Sequence, residues 1–333
     1  MTPVSTNRVP PAPLYSDPVH QAPTDPTVIE GPDGRWWMFY TQRRSGDTGP
    51  DVRWVHGTDI GTACSTDGGL TWTYEGVVEG LDPHDGRNTL WAPEVVFAEG
   101  RFHMFLTHIV GVPSHWAGHD RRILHHVSED LHRWDYLGVV PLSSSRVIDA
   151  AVHPRPGGGY RLWCKDEAQH SWTWGADSDD LQSWSPSFPV ITGAGHEGPN
   201  VFELGGRCWM IVDEWHGLAV YSSPDLDRWE RQGLILDQPG HRELDHSVGR
   251  HADVVVGRDD DDEDVGWIFY FTDRLDHDDF SPSGPSITAA DSAPHRTDIQ
   301  VAELRVVDGR LTCDRDAPFS LDLRRASRHT VMQ

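Results

Sequence analysis

Asp25-Pro26-Thr27-Val28 opens a pattern that returns four more times along the 333 residues. A turn and an aromatic-rich run follow each opening, the first of them from Arg35 to Thr41. Apolar β-branched and aromatic residues fit the pleated surface of a strand, so each unit predicts paired strands. The other openings are Ala92-Pro93-Glu94-Val95, Asp149-Ala150-Ala151-Val152, Glu197-Gly198-Pro199-Asn200-Val201 and His251-Ala252-Asp253-Val254.

A second phrase, Ser-x-Asp-Leu-x-x-Trp, follows later in the units, at 128–134, 178–184 and 223–229, with a longer variant at 65–72. It is typical of a β-turn closed by a packed tryptophan. The openings are spaced by 67, 57, 49 and 53 residues, counted between Pro26, Pro93, Ala150, Pro199 and Ala252. This spacing suits a four-stranded blade better than a helical repeat. We therefore predict an all-β fold, a five-bladed β-propeller with four-stranded antiparallel blades.

Composition agrees with one repeat-built domain. Fifteen Trp, 32 Gly and 24 Pro suit tight turns and aromatic packing, and no long segment has sustained helical periodicity. We expect an extended Pro-rich segment over 1–15, a single catalytic propeller over 16–320 and a tail over 321–333. The four cysteines have no close spacing, so we expect free, buried thiols.

The charge restricts the partners. The formal net charge is −24, with Lys165 as the only lysine, which disfavours nucleic acid and anionic membranes. A small neutral carbohydrate fits better, while the oligomeric state stays open. The sequence has no stretch that resembles a signal peptide or a membrane span. We therefore expect a cytoplasmic protein, or a secreted one if a leader has been removed.

Three of the openings begin with an acid: Asp25, Asp149 and Glu197. In a propeller the first strand of each blade lines the axis, so we expect these carboxylates to converge on a central pocket. Crowded carboxylates raise the pKa of at least one member, which is costly for folding alone. Glycoside hydrolysis uses such a set, with a protonated acid for the leaving oxygen and an ionised base for water.

These motifs, in their order and register, resemble the five-bladed glycosidases of glycoside hydrolase family 43 over nearly the whole chain. The resemblance rests on Asp25-Pro26 with Asp33-Gly34, Trp91-Ala92-Pro93-Glu94, Ile148-Asp149 and His196-Glu197-Gly198-Pro199. It implies that Asp25 is the general base, that Glu197 is the general acid, and that Asp149 tunes the pKa of that acid. It also implies that Trp91 lines the sugar pocket and that catalysis inverts the anomeric carbon, with the two catalytic carboxylates roughly 6.5–9.5 Å apart.

Two further residues are assigned by the same resemblance. His251 opens the fifth unit, where family members place a histidine that contacts an axial calcium ion or its waters; an ordinary hydrogen-bonded histidine is the alternative. Arg296 resembles a late arginine that reaches the tuning aspartate and the sugar; a salt-bridged surface arginine is the alternative. We expect no required cofactor, and at most a structural calcium ion at the axis.

Some alternatives stay open within the chain. Asp17-Pro18 is a second Asp-Pro, so Asp17 competes with Asp25 as the base, although the apolar run and the glycine turn follow Asp25 at the expected distance. Strand alternation makes Glu94 face away from the other acids, so we leave it out of catalysis.

Other function classes fit less well. A sialidase would need six blades, an arginine cluster and a tyrosine nucleophile, and a mannoside phosphorylase would need a basic phosphate pocket. Fructan-cleaving relatives open with Asn-Asp-Pro-Asn, where this chain has Thr24-Asp25-Pro26-Thr27. The sequence favours an inverting glycosidase that removes arabinofuranosyl, xylosyl or related units from short oligosaccharides. A fructan- or galactofuranose-active glycosidase and a non-catalytic sugar-binding propeller are the alternatives.

Overall fold

The chain folds into five sheets of four antiparallel strands, as the sequence predicts. The structure is a computed structural model and describes residues 8–47, 49–274 and 295–327. Each sheet consists of four strands that follow one another in the chain, so each sequence unit forms one blade. The two helical segments in the described part of the chain are three-residue 3-10 turns, Arg53–Val55 and Leu323–Arg325.

The blades are numbered in chain order, and each strand is numbered from the axis outward within its blade. Blade 1 contains β1 (Pro23–Glu30), β2 (Trp36–Gln42), β3 (Asp59–Ser65) and β4 (Thr73–Val77). Blade 2 contains β5 (Thr89–Ala98), β6 (Arg101–Ile109), β7 (Arg122–Ser128) and β8 (Asp135–Val139). Blade 3 contains β9 (Val147–Pro154), β10 (Tyr160–Asp166), β11 (Trp172–Ser178) and β12 (Phe188–Ile191). Blade 4 contains β13 (Glu197–Leu204), β14 (Arg207–Asp213), β15 (Leu218–Ser223) and β16 (Glu230–Ile235). Blade 5 contains β17 (Arg250–Arg258), β18 (Asp264–Asp273), β19 (Thr297–Val307) and β20 (Arg310–Cys313).

The hydrophobic core lies between neighbouring blades. Trp37 and Phe39 of blade 1, for example, share one buried cluster with Leu90 and Met104 of blade 2. Because both faces of a blade are covered by neighbours, the second strands are buried almost throughout, and all seven residues of β2 are buried. This two-sided burial explains why the aromatic-rich runs lack simple alternation of apolar and polar residues.

The innermost strands form a closed ring. Each of β1, β5, β9, β13 and β17 contacts the first strand of the next blade, and β17 contacts β1. Their N-terminal ends carry the openings identified in the sequence, so the residues at these openings surround one axis. The expected convergence of the five units is therefore present.

No sheet contains strands from both ends of the described chain. Blade 5 is instead joined to blade 1 by hydrogen bonds of the terminal segments. Tyr15 and Ile299 exchange two backbone hydrogen bonds of 3.1 and 2.9 Å. The Leu321 N–H donates to Arg8 O, and the Leu323 N–H donates to Gly68 O. Residues 1–7 and 328–333 of the predicted terminal segments lie outside the described residues, so the predicted segment bounds stay a prediction.

Several local predictions are confirmed. The Ser-Asp phrases form turns, and in those at 65–72, 128–134 and 223–229 the tryptophan indole N–H donates back to the turn, as Trp134 Nε1 does to Leu131 O at 3.2 Å. All four cysteines are free, and Cys64, Cys164 and Cys208 are buried. No helix in the described part of the chain is long and apolar enough to span a bilayer.

Candidate active site

A β-bulge interrupts the inner strand of every blade near its start, and it decides where the acids point. Residue pairing jumps between Thr24 and Thr27 in blade 1 and between Glu197 and Asn200 in blade 4. The bulged residues have positive φ: 52° at Asp25, 58° at Asp149 and 56° at Gly198. Asp25, Asp149 and Gly198 therefore occupy equivalent positions. Glu197 lies one residue earlier, at the last paired position before the bulge of its strand.

The three acids nevertheless meet in one pocket at the axis. The Gly198 N–H donates to Asp149 Oδ2 at 3.1 Å, which brings the start of β13 against β9. His251 Nδ1 lies 3.4 Å from Asp25 Oδ1, and the charge of this imidazole also acts on Asp149. Asp25 and Asp149 are buried, while Glu197 is half-buried. Carboxylates from blades 1, 3 and 4 are thus gathered at the N-terminal ends of the inner strands.

Asp25 is held in its ionised form. Burial opposes its charge, but the guanidinium of Arg43 and a hydrogen bond from His251 outweigh burial and hold the pKa of Asp25 well below its usual range. Arg43 approaches Asp25 Oδ2 to 3.8 Å, and the Thr24 hydroxyl donates to the same oxygen at 2.9 Å. An ionised, buried carboxylate of this kind can accept a proton from water.

Asp149 and Glu197 have opposite electrostatic surroundings. Burial, with a contribution from the charge of Glu197, raises the pKa of Asp149 to about 7. Burial acts on Glu197 as well, but the charges of Lys165 and Arg250 overcome it and lower the pKa of Glu197. Lys165 Nζ donates to Glu197 Oε2 at 2.9 Å. Burial therefore favours the protonated form of Asp149, while the neighbouring cations favour the ionised form of Glu197.

Arg250 connects the acids of blades 4 and 5. Its Nε donates to Asp213 Oδ2 at 2.9 Å, and its other nitrogens lie 3.6 Å from Asp273 Oδ2 and 3.9 Å from Glu197 Oε1. Asp213 also accepts the backbone N–H groups of His251 and Trp215, at 3.1 and 2.6 Å. Asp213 therefore positions three residues at the rim of the pocket.

His251 serves Asp25 in this structure. Burial favours the neutral ring, but the hydrogen bond and the charge of Asp25 raise the pKa of His251 to about 9. A metal-bound histidine must be unprotonated, and the described residues include no group of three His, Cys, Asp or Glu side chains placed to hold a metal ion. An axial calcium ion that His251 contacts directly or through waters therefore stays a prediction, and no chemistry below depends on a metal.

Glu94 lies next to a different acid from the three described above. It follows the bulge at Ala92, where φ is 43°. Glu94 Oε1 accepts the Val152 N–H at 2.9 Å. Burial and the nearby charge of Asp253 raise the pKa of Glu94 to about 8. Glu94 and Asp253 thus form a second acid pair along the axis, two positions beyond the bulges.

The surroundings of Asp17, the alternative candidate for the base, indicate that it stabilises the fold. It is fully buried and accepts hydrogen bonds from Tyr40 Oη at 2.6 Å and Gln42 Nε2 at 2.7 Å. Its other oxygen accepts the backbone N–H groups of Val19 and His20, at 3.0 and 2.5 Å. Both carboxylate oxygens are occupied, so Asp17 is not available to act on water.

The remaining predicted site residues have different surroundings. Trp91 is buried, its Nε1 donates to Val55 O at 2.6 Å, and its ring stacks on Trp116 with centroids 5.4 Å apart. Arg296 is exposed, and the cations whose charges interact with Asp149 include His251, Lys165 and Arg121. The structure does not bring Arg296 against Asp149.

Sequence reasoning missed four residues of this pocket: Lys165, Arg250, Arg43 and Trp215. Lys165 had a signal, because it is the only lysine in an acidic chain and lies in a strand. Arg250 directly precedes the predicted His251. Trp215, at 37% exposure, is among the most exposed large aromatic side chains of the described chain. It donates a side-chain hydrogen bond to Glu197.

Fold and site together define a class of protein: a five-bladed propeller with an ionised acid and a proton-sharing acid pair at its axis. No protein-family model and no curated protein matches the sequence. Solved structures match its fold. A thermostable family-43 glycoside hydrolase matches with a TM-score of 0.66 and 16% identity over 92% of this chain and 99% of the other.

Two further matches have similar extent. A GH43 β-xylosidase/α-arabinofuranosidase from a compost microbial metagenome, in complex with xylotriose, has a TM-score of 0.64 and 16% identity over 91% of this chain and 96% of its own. A GH43 β1,3-galactosidase with galactodeoxynojirimycin has a TM-score of 0.62 and 13% identity over 92% and 98%. The chain therefore has the propeller fold of the family 43 glycoside hydrolase structures.

Proposed function

We propose that this protein is an inverting glycosidase that removes arabinofuranosyl, xylosyl or related units from short oligosaccharides. The observation that carries the proposal is the division of charge at the axis. Arg43 and His251 lie 3.8 and 3.4 Å from Asp25 and lower its pKa, while burial raises the pKa of Asp149, which lies against the start of β13 beside Glu197. Hydrolysis with inversion needs both states in one pocket, a base for water and a proton for the leaving oxygen.

The reaction is a single displacement. Asp25 takes a proton from water, whose oxygen attacks the anomeric carbon, while Glu197 delivers the pair's proton to the departing oxygen. His251 and Arg43 keep Asp25 ionised through their charge. Asp149 holds the proton for Glu197 and fixes the start of β13 through the Gly198 N–H. The proposed mechanism needs no cofactor.

The substrate proposal rests on the structural neighbours and on the aromatic rim. One neighbour is a β-xylosidase/α-arabinofuranosidase in complex with xylotriose, and another is a Xanthomonas citri GH43_1 enzyme in complex with xylose. The partly exposed rings of Trp116 and Trp215 offer apolar faces on which a sugar can stack. The β1,3-galactosidase neighbour makes galactosides the next substrates to test.

The test combines a substrate panel with two variants. Nitrophenyl arabinofuranoside, xyloside, galactoside, galactofuranoside and fructosyl substrates identify the glycone, and NMR of the first-formed anomer reports inversion. Asp25→Asn and Glu197→Gln should each lower kcat at least about a thousandfold with folding intact, because each removes one proton-transfer group. Glu197→Gln should recover part of its activity on substrates with good leaving groups. Full activity in either variant would end the proposal.

A non-catalytic sugar-binding propeller is a second candidate, and one observation favours it. The ion pair between Lys165 and Glu197 keeps the proposed acid without a proton in the sugar-free protein. Calorimetry with xylose, arabinose and galactose separates the two functions. Sugar binding without hydrolysis of any substrate on the panel would support the binding module.

A further inference from the structure

Lys165 occupies a position that blades 1, 2 and 4 fill with a hydrogen-bond acceptor and blade 5 fills with Phe271. It pairs with Ile148, just as Thr41 pairs with Thr24, Thr107 with Trp91 and Asp213 with Glu197. In blades 1, 2 and 4 the side-chain oxygen at this position accepts the N–H of the next blade's bulge residue. These bonds are Ala92 N to Thr41 Oγ1 at 2.7 Å, Asp149 N to Thr107 Oγ1 at 3.1 Å and His251 N to Asp213 Oδ2 at 3.1 Å.

A lysine cannot make this bond, because an ammonium group only donates. Lys165 lies in blade 3, so the N–H that its position faces is that of Gly198, the bulge residue of blade 4. Asp149 Oδ2 accepts this N–H instead. The only lysine of the chain therefore stands where ring closure would use an acceptor. Since Lys165 makes no contribution to that bond, its place in the pocket calls for another role.

The Lys165 ammonium group has two carboxylates within reach. It donates to Glu197 Oε2 at 2.9 Å and lies 3.6 Å from Glu167 Oε1, with its side chain only 4% exposed. It also lies 5.2 Å from the centre of the Trp215 ring. Glu167 is itself fixed by Arg121 at 3.0 Å and by the Trp116 indole N–H at 2.9 Å. A small rotation would transfer the ammonium from Glu197 to Glu167 while keeping it paired.

The charges that surround Glu197 come from several elements. Lys165 lies on β10 and Arg250 on β17, and both favour the ionised carboxylate, as does the hydrogen bond from Trp215. Asp149 of β9 lies close enough to Glu197 for their charges to interact. His251 of β17 lies among the same acids, and His196 directly precedes Glu197. Arg250 is already engaged by Asp213 at 2.9 Å, so Lys165 is the cation whose partner can change.

We infer that Lys165 is a positioning residue that keeps Glu197 ionised in the free enzyme and moves onto Glu167 when a sugar binds. The proton of the acid pair then passes from the Asp149 carboxyl to the Glu197 carboxylate, and no other bond is made or broken. Glu197 becomes a proton donor only when a substrate is present. This inference rests on the proposed glycosidase function for its second half, while its first half concerns the sugar-free protein alone.

The first experiment needs no activity. Carbon-13 NMR of protein labelled at the Asp and Glu carboxyl carbons follows Glu197 between about pH 3 and 9, with assignment from Glu197→Gln. In Lys165→Met the Glu197 midpoint should rise by about 1–3 pH units, because an adjacent opposite charge lowers a carboxyl pKa by that amount. Lys165→Arg keeps the charge and should titrate like the parent protein. An unchanged midpoint in Lys165→Met would overturn the inference.

A second variant protects the test against misfolding of Lys165→Met. Glu167→Gln leaves Lys165 in place but removes its alternative partner, so Glu197 should titrate at lower pH than in the parent. A higher or unchanged Glu197 midpoint in Glu167→Gln would contradict the role of Glu167 as the second partner of Lys165.

Kinetics test the movement of Lys165. The pH profile of kcat/KM reports the free enzyme, whereas that of kcat reports the complex with substrate. In Lys165→Met the alkaline limb of kcat/KM should move up by about one pH unit or more, and that of kcat should move much less. Equal shifts in both profiles would contradict the movement. A titration shift without hydrolysis of any substrate would remove the glycosidase proposal and leave the sugar-free role of Lys165 intact.

Discussion

Two aspartates at the axis adopt a backbone conformation that few residues other than glycine tolerate. Asp25 and Asp149 have φ values of 52° and 58°, and aspartate is among the non-glycine residues most often found in this region. The bulge turns both carboxylates toward the pocket, where Gly198 fills the same position in blade 4. Glycine is required there, because a Cβ on Gly198 would come within 2.6 Å of the His251 ring.

The two Asp-Pro aspartates should differ in their effect on kcat when they are changed. Asp17→Asn should lower the free energy of unfolding by about 2–3 kcal/mol, because donors that face both carboxylate oxygens lose an acceptor or its charge. The same variant should retain kcat. Asp25→Asn should lose kcat, and it should also lose some stability because Arg43 and His251 lose an anionic partner. Urea unfolding and steady-state kinetics on both proteins check this. Retained kcat in Asp25→Asn together with lost kcat in Asp17→Asn would make Asp17 the functional acid.

The pH profile should be asymmetric. With Asp25 held ionised, the acidic limb of kcat/KM should lie below about pH 4, and the alkaline limb should begin near pH 7, where the Asp149 and Glu197 pair loses its proton. His251→Gln removes a partner that stabilises ionised Asp25, so its acidic limb should move upward. An acidic limb at pH 5 or above in the parent protein would show that Asp25 is not held ionised.

At the scale of elements, the inner-strand bulge and the Ser-Asp turn both recur in the blades, and each has a different structural role. The bulge directs side chains to the axis, whereas the turn joins the two outermost strands. In the turn after β7, Asp130 Oδ1 accepts the backbone N–H groups of His132 and Arg133, each at 2.9 Å. The Ser128 hydroxyl oxygen accepts the Leu131 N–H at 2.9 Å. The turn is therefore held by side-chain bonds to its own backbone.

Asp130→Ala should lower the free energy of unfolding by about 1–2 kcal/mol, since two backbone donors lose their partner. Glu129→Ala is the matched control, because Glu129 is the exposed neighbour in the same turn. Its effect should stay within about 0.5 kcal/mol. Chemical denaturation of both variants makes the comparison, and KM should be unchanged in each. Equal losses of stability in the two variants would show that the hydrogen bonds of Asp130 in the turn do not stabilise the protein.

For the whole molecule, closure of the ring depends on the two ends of the described chain. Phe319, Leu321 and Leu323 are buried in one cluster with Tyr15 of the N-terminal segment and Trp36 of blade 1. This cluster takes the place of a strand shared between the first and last blades. An open ring would expose the apolar faces of blades 1 and 5 to water, so the contact stabilises all five blades together.

Leu321→Ala should therefore destabilise the entire propeller by about 2–4 kcal/mol, which is the usual cost of truncating a fully buried leucine. Leu137→Ala, on β8 with 44% exposure, is the control and should have little effect. Thermal unfolding followed by tryptophan fluorescence checks both. Loss of blade 5 in a separate early transition would show that closure is less cooperative than the shared cluster implies.

The sequence by itself determined the five blades, their boundaries within a few residues, and the three acids of the axis. It could do so because strand formation follows local patterns of aromatic and β-branched residues, and because a repeat places equivalent residues at equivalent positions. The order of residues in the repeated phrase also located the Ser-Asp turns. These features depend on residues that are near one another in the chain.

Only the tertiary structure decided the pairing of Glu94 with Asp253, the structural role of Asp17, and the cations that control the acids. Glu94 and Asp253 lie in different blades, and their contact depends on how the inner strands meet at the axis. Lys165, Arg250 and Arg43 come from three different blades, and their effect on Asp25 and Glu197 depends on distances of a few ångströms across the axis. Protonation states follow from such distances and from burial, which strand patterns do not contain.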